Sequence, residues 1–185
     1  MTRASCTTSP QDLLGYWLGE LDAAHESRLD EHLLACSACS ERLRTIVDLG
    51  AAIRRELLRG SFGFVLPAPF VRRIKDAGLS VREYSLEPGG SVSCTVTPED
   101  DLVVAYLHAP LRDVRRLDVV IHDATAGTIR VSDVAFDPEA DSVTMVPSVA
   151  YLRTLGHNQQ RAQLVAVEGV NERVIADYTF NHSPS

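Results

Sequence analysis

The stretch His32-Leu33-Leu34-Ala35-Cys36-Ser37-Ala38-Cys39 decides how this chain is read. Four-residue spacing puts His32 and Cys36 on one helical face, a single turn apart. Two residues between Cys36 and Cys39 let both sulfurs converge on one point. An imidazole nitrogen and two thiolates facing one centre form a donor set that zinc takes in tetrahedral coordination. A fourth ligand must come from elsewhere. Cys6 sits on a polar arm that can fold back. The rival is His25, which on a continuous helix lies roughly 10 Å from His32 along the axis. An ion held at about 2 Å by each ligand does not serve both, so Cys6 is the expected fourth ligand.

The chain has four cysteines, Cys6, Cys36, Cys39 and Cys94. Residues 1–10 are polar and lack an apolar run, so a cytoplasmic location is expected, where thiols stay reduced and serve metal or redox chemistry. No stretch approaches the roughly 18 apolar residues that a membrane span needs, and a soluble protein is expected. Charge is uneven. Residues 1–79 carry ten Arg/Lys and ten Asp/Glu, and residues 80–185 carry eight and fifteen. This contrast places a boundary near residue 80. An acidic second half and a neutral first half both speak against nucleic acid as a partner, because phosphate needs a basic surface.

The first half reads as helical. Leu14, Trp17, Leu18 and Leu21 recur at one-face spacing after Pro10, and the helix is expected to end near Leu21. Asp22 caps a second helix over 23–35, mostly polar with a thin stripe of Leu29, Leu33 and Cys36. A core this small leaves much of the stability to a metal. A third, long helix runs from Ser37 or Ser40 to about Arg59, with Cys39, Leu43, Ile46, Gly50, Ile53 and Leu57 in register. Gly60 to Gly63 break it, Pro67 and Pro69 mark a linker, and residues 69–78 suggest a short fourth helix with Phe70, Val71 and Ile74 on its apolar face.

Residues 13–57 resemble the zinc-binding anti-sigma factor family. The resemblance is carried by Gly19, Leu21, His32, Leu33, Cys36 and Cys39, in a G-x-L … H-L-x-x-C-x-x-C frame. In that family an upstream Cys or His, about 25 residues before the motif histidine, completes the site, and Cys6 stands 26 residues before His32. The resemblance implies a structural zinc held by Cys6, His32, Cys36 and Cys39. It also implies an extracytoplasmic-function sigma factor as partner, wedged open between its two conserved regions by the bundle and the fourth helix. Leu57, Leu58, Phe62, Phe64, Phe70 and Ile74 are the candidate partner contacts under this reading; each could instead serve the chain's own core.

From Ser80 the pattern turns to strands, expected over 81–87, 91–97, 101–108, 116–123, 128–136, 142–146, 160–168 and 172–180. Residues 151–155 fit either a further strand or a helical turn. The expected fold is α+β in two domains. Residues 1–79 form a zinc-stabilised helical bundle with linker and fourth helix, and 80–185 an all-β antiparallel sandwich or cupin-like jelly roll acting as a sensor. His108, His122, His157 and His182 are scattered and make no H-x-H pair, and Cys94 alternates with Val92 and Val96 as a core residue would. No nucleophile–base pair, P-loop or nucleotide fingerprint appears, so no enzymatic activity is expected. The competing reading is a cupin-like metal enzyme or ligand-binding protein with an N-terminal zinc module.

Overall fold

The computed structural model describes residues 6, 8–60, 63–76 and 78–184. Its N-terminal part is helical: α1 (Pro10–Leu18), α2 (Ala23–Ala35) and α3 (Ser37–Arg59). A β-rich part follows, made of β1 (Phe64–Val65), α4 (Ala68–Lys75), β2 (Val81–Leu86), β3 (Ser91–Cys94), β4 (Leu102–His108), β5 (Leu117–Asp123), β6 (Gly127–Val131), β7 (Ser142–Val146), α5 (Val149–Thr154), β8 (Asn158–Glu168) and β9 (Asn171–His182). The expected α+β class in two parts is what the chain adopts, and no helix among the described residues is long and apolar enough to cross a membrane.

Two compact units divide the chain at Arg55/Glu56. The change of charge near residue 80 does not coincide with that division. The reason is that the linker is part of a sheet: Phe64 and Val65 pair antiparallel with Val146 and Met145, and the Leu66 amide donates to the Thr144 carbonyl at 3.0 Å. The fourth helix is also shorter than 69–78, running Ala68–Lys75, with Lys75 paired to Glu83 of β2 at 2.7 Å.

In the first unit each helix has a readable start. Ser9 and Asp12 form a reciprocal capping box on α1: the Asp12 amide donates to Ser9 Oγ and the Ser9 amide to Asp12 Oδ2, both at 3.0 Å,. That helix ends at Leu18, not near Leu21, because Gly19 turns left-handed at φ 72° and closes it,. Asp22 caps α2 by accepting from the His25 amide at 2.8 Å. Leu13, Leu29 and Cys39 are the buried centre, with Tyr16, Leu33, Leu43 and Ile46 packed around them. Gly50 admits the Trp17 indole against α3, since a Cβ there would lie 2.2 Å from the ring.

The second unit is a sandwich of two sheets, ordered β1-β7-β4-β2 and β3-β9-β8-β5-β6. All eight expected strands are present, and residues 151–155 resolve into the helix α5. The sheets are mixed, which corrects the expectation of a purely antiparallel fold. β2 pairs parallel with β4, and β3 parallel with β9. Residues 87–101 carry the chain from one sheet to the other and back, supplying the crossover that parallel β2 and β4 require,. Alternate residues face the shared core: Leu117 and Val119 on β5, Ala162, Leu164 and Ala166 on β8, and Ala176, Tyr178 and Phe180 on β9,. Val120, Val165 and Val167, of opposite parity, form a separate small cluster.

Candidate metal centre

The corner between α2 and α3 is one residue long, and that residue is Cys36. It ends α2 in an extended conformation (φ −118°, ψ 95°) while its amide still donates to the His32 carbonyl at 2.8 Å. Ser40 fastens the corner, donating from Oγ to the Leu33 carbonyl at 2.7 Å and the Cys36 carbonyl at 3.1 Å. Cys39 therefore enters on the first turn of α3, fully buried. His32 arrives from the last turn of α2. Tyr16 ties α1 to α2 through a 2.6 Å bond to Asp30, and the segment before α1 brings Cys6 over the corner.

Cys6 Sγ lies 3.3 Å from His32 Nε2 and 3.0 Å from Cys39 Sγ. The ligating atoms of Cys6, His32, Cys36 and Cys39 all fall within 4.8 Å of one another. A tetrahedral zinc with bonds of about 2.3 Å to sulfur and about 2.0 Å to nitrogen sets its ligand atoms roughly 3.5–3.8 Å apart. The four donors thus fit one zinc ion with small adjustments. The sulfurs stand well beyond the ~2.05 Å of a disulfide, and all four cysteines of the chain are free thiols. His25 stands outside this cluster, its Nε2 3.9 Å from Asp12 Oδ1.

The thiols share protons unequally. Hydrogen bonding from Cys39, and after it from the Thr8 backbone, draws the exposed Cys6 thiol down to about 6. The same bond to Cys6, together with burial, pushes Cys39 up. Thiolate is the form a metal binds. Four protein ligands leave no open position, so an ion held here would brace the fold and would not present a reactive water. With three buried side chains among the described residues of this unit, such bracing would be significant,.

The other sequence candidates are placed as follows. Leu57, Phe70 and Ile74 are buried and Leu58 is exposed. Phe62 lies outside the described residues, as does the side chain of Phe64, whose backbone stands in β1. Of the β-unit histidines, His108 bonds Ser85 at 2.9 Å, and His122 bridges Thr128 and Gln163 at 3.0 and 3.1 Å. Cys94 and His182, 88 residues apart, are both buried and meet at 4.0 Å. Sequence reading missed that pair, since nothing in the local pattern links the two. It also missed a buried carboxylate, Asp123, on which Tyr151 and Gln160 converge. Its signal was available: an aspartate closing an apolar strand just before a turn. The capping box was likewise readable from Ser9 and Asp12 at their three-residue spacing.

Residues 11–40 match the family described as "Putative zinc-finger". The matched segment holds His32, Cys36 and Cys39, and Cys6 lies upstream of it. No curated protein matches the chain. Among solved structures, the N-terminal domain of phage TP901-1 ORF48 is similar at 14% identity and a TM-score of 0.38, over 57% of this chain and 98% of that one. The cysteine protease inhibitor EhICP2 from Entamoeba histolytica is similar at 12% identity and a TM-score of 0.29, over 57% and 99%.

Proposed function

We propose that this chain, which carries a zinc-finger segment of the kind typical of anti-sigma factors, sequesters an extracytoplasmic-function sigma factor and acts without enzymatic chemistry. The observation that carries the reading is the four-donor cluster at the α2–α3 corner, inside and just upstream of the matched segment. Cys6, His32, Cys36 and Cys39 would hold the zinc and fix the angle between the two helices. The fixed helices would then present apolar side chains that their own unit leaves uncovered. Leu34, two residues from His32, is 92% exposed, and Leu49 on α3 is 60% exposed. Leu34 and Leu49 are the side chains this reading offers to a protein partner.

Of the six partner contacts expected from the sequence, Leu58 is open to a partner as it stands. Engagement of Phe70 and Ile74 would require α4 to detach first, because both are buried. The β unit is read as the part that receives a signal. The experiment is co-purification with the extracytoplasmic-function sigma factor encoded nearest to this gene, repeated with His32→Ala and Cys36→Ser. Wild-type capture lost in both variants supports the reading. Capture retained by both would remove the metal-organised interface.

A further inference from the structure

A pocket of about 190 Å³, open to solvent along the edge strand β6, lies between the two sheets of the β unit. Ile121, Ile129, Val131, Met145, Ala162 and Phe180 supply its apolar wall, and Asp123 closes one end. Asp123 is nearly fully buried. Its Oδ1 accepts from the backbone amides of Thr125 and Ala126 at 2.6 and 2.9 Å, and its Oδ2 accepts from the Tyr151 hydroxyl at 2.9 Å and from the Gln160 amide. These donors hold it as a carboxylate. Ser148, also on the wall, donates to the Gly60 carbonyl and accepts from the Tyr151 amide. The polar rim is therefore internally paired and carries one negative charge.

We infer that this pocket binds a neutral, single-ring-sized apolar molecule and rejects carboxylates of the same shape. Size sets the first half of the inference. An apolar cavity of about 150 Å³ takes up benzene, so about 190 Å³ accommodates one substituted ring. Charge sets the second half. A ligand carboxylate would stand within several ångströms of Asp123, whose buried charge is poorly screened by water, which opposes it on the order of 100-fold,.

The same wall reaches α3. The Ser148 hydroxyl and the Ala150 amide, the latter at 3.2 Å, both donate to the carbonyl of Gly60, the residue after α3 ends. An occupant that shifts the first turn of α5 would pull on that carbonyl. The use of this link as a signal rests on the anti-sigma reading; ligand binding itself does not.

The test is a methyl NMR titration of the full chain with benzyl alcohol, toluene and benzoate. Benzyl alcohol and toluene should shift the methyls of Ile121, Ile129 and Met145 saturably, with benzoate about 100-fold weaker. Val131→Trp, which fills the cavity from the exposed edge strand, should abolish the shifts. Val174→Trp, exposed on β9 and outside the cavity, should leave them intact. No saturable shift, equal response to benzoate, or retained binding in Val131→Trp would overturn the inference. Sigma-factor capture is scored in the same preparation: shifts without capture support the cavity and count against the anti-sigma reading alone.

Discussion

Acidification should weaken the β unit through Asp123 by an amount the structure specifies. Burial alone would raise this carboxyl, but the amides of Ala126 and Thr125, the Gln160 side chain and the Tyr151 hydroxyl overcome it and hold the group at about 2, against an ordinary 3.8. A carboxyl depressed on folding contributes stability above its unfolded value and loses it as pH falls toward the folded one. Each unit of depression corresponds to about 1.4 kcal/mol, so roughly 2 kcal/mol present at pH 5 should be gone near pH 2. Other depressed carboxyls, Asp100 and Asp118 among them, contribute to the same window. The comparison with Asp123→Asn isolates this one. The variant should be less stable at neutral pH by about 1–3 kcal/mol, from donors left without their acceptor. Its stability should also fall less steeply than wild type between pH 5 and pH 2. Urea titrations at each pH, followed through amide resonances of β5 and β8, measure this in the right unit, since Trp17, the lone tryptophan, stands in the other. Parallel pH profiles for wild type and variant would refute the assignment of this stability to Asp123.

Gly60→Ala should lower the thermal midpoint of the β unit by more than a surface substitution does. The site is left-handed at φ 66° and a Cβ would sit 2.8 Å from the Ala150 amide nitrogen; the backbone term alone costs roughly 1–2 kcal/mol. Ser9→Ala removes one half of the capping box and should cost about 1 kcal/mol in the first unit, read by Trp17 fluorescence during denaturation. Leu34→Asp should leave zinc content and helicity unchanged while weakening sigma-factor capture at least tenfold, measured by titration calorimetry; a partner surface elsewhere would leave capture untouched. Stripping zinc with a chelator should reduce helical circular dichroism and leave the β-sheet amide resonances in place, because the ligands all belong to the first unit.

Features set by local spacing were legible in the sequence. His32, Cys36 and Cys39 fall within eight residues, so their closeness was legible, but the one-residue corner at Cys36 that brings Cys39 in from a second helix, in place of a continuous helical face, was not; α2 and α3 run where the apolar stripe and Asp22 place them. Eight strands show through their alternation. Features set by distant partners were not legible. Alternation reports which face a residue occupies and says nothing about which strand lies beside it, so the parallel pairs β2–β4 and β3–β9 stayed hidden. Phe64 and Val65 are too few to show a period, and the prolines after them read as linker. Asp123 gains its significance from Tyr151 and Gln160, which the fold brings in from α5 and β8. Cys6 was reachable by exclusion of His25 on reach along the helix, and the four-donor cluster contains Cys6 and not His25.

Cobalt substitution tests the central claim most directly. The wild-type chain loaded with Co²⁺ should show tetrahedral absorption and strong sulfur-to-metal charge transfer from three thiolates. Cys6→Ser should lower the charge-transfer intensity by about one third, as three thiolates become two. His25→Ala should leave the spectrum unchanged. A spectrum without charge transfer, or one altered by His25→Ala and indifferent to Cys6→Ser, would contradict the four-ligand centre.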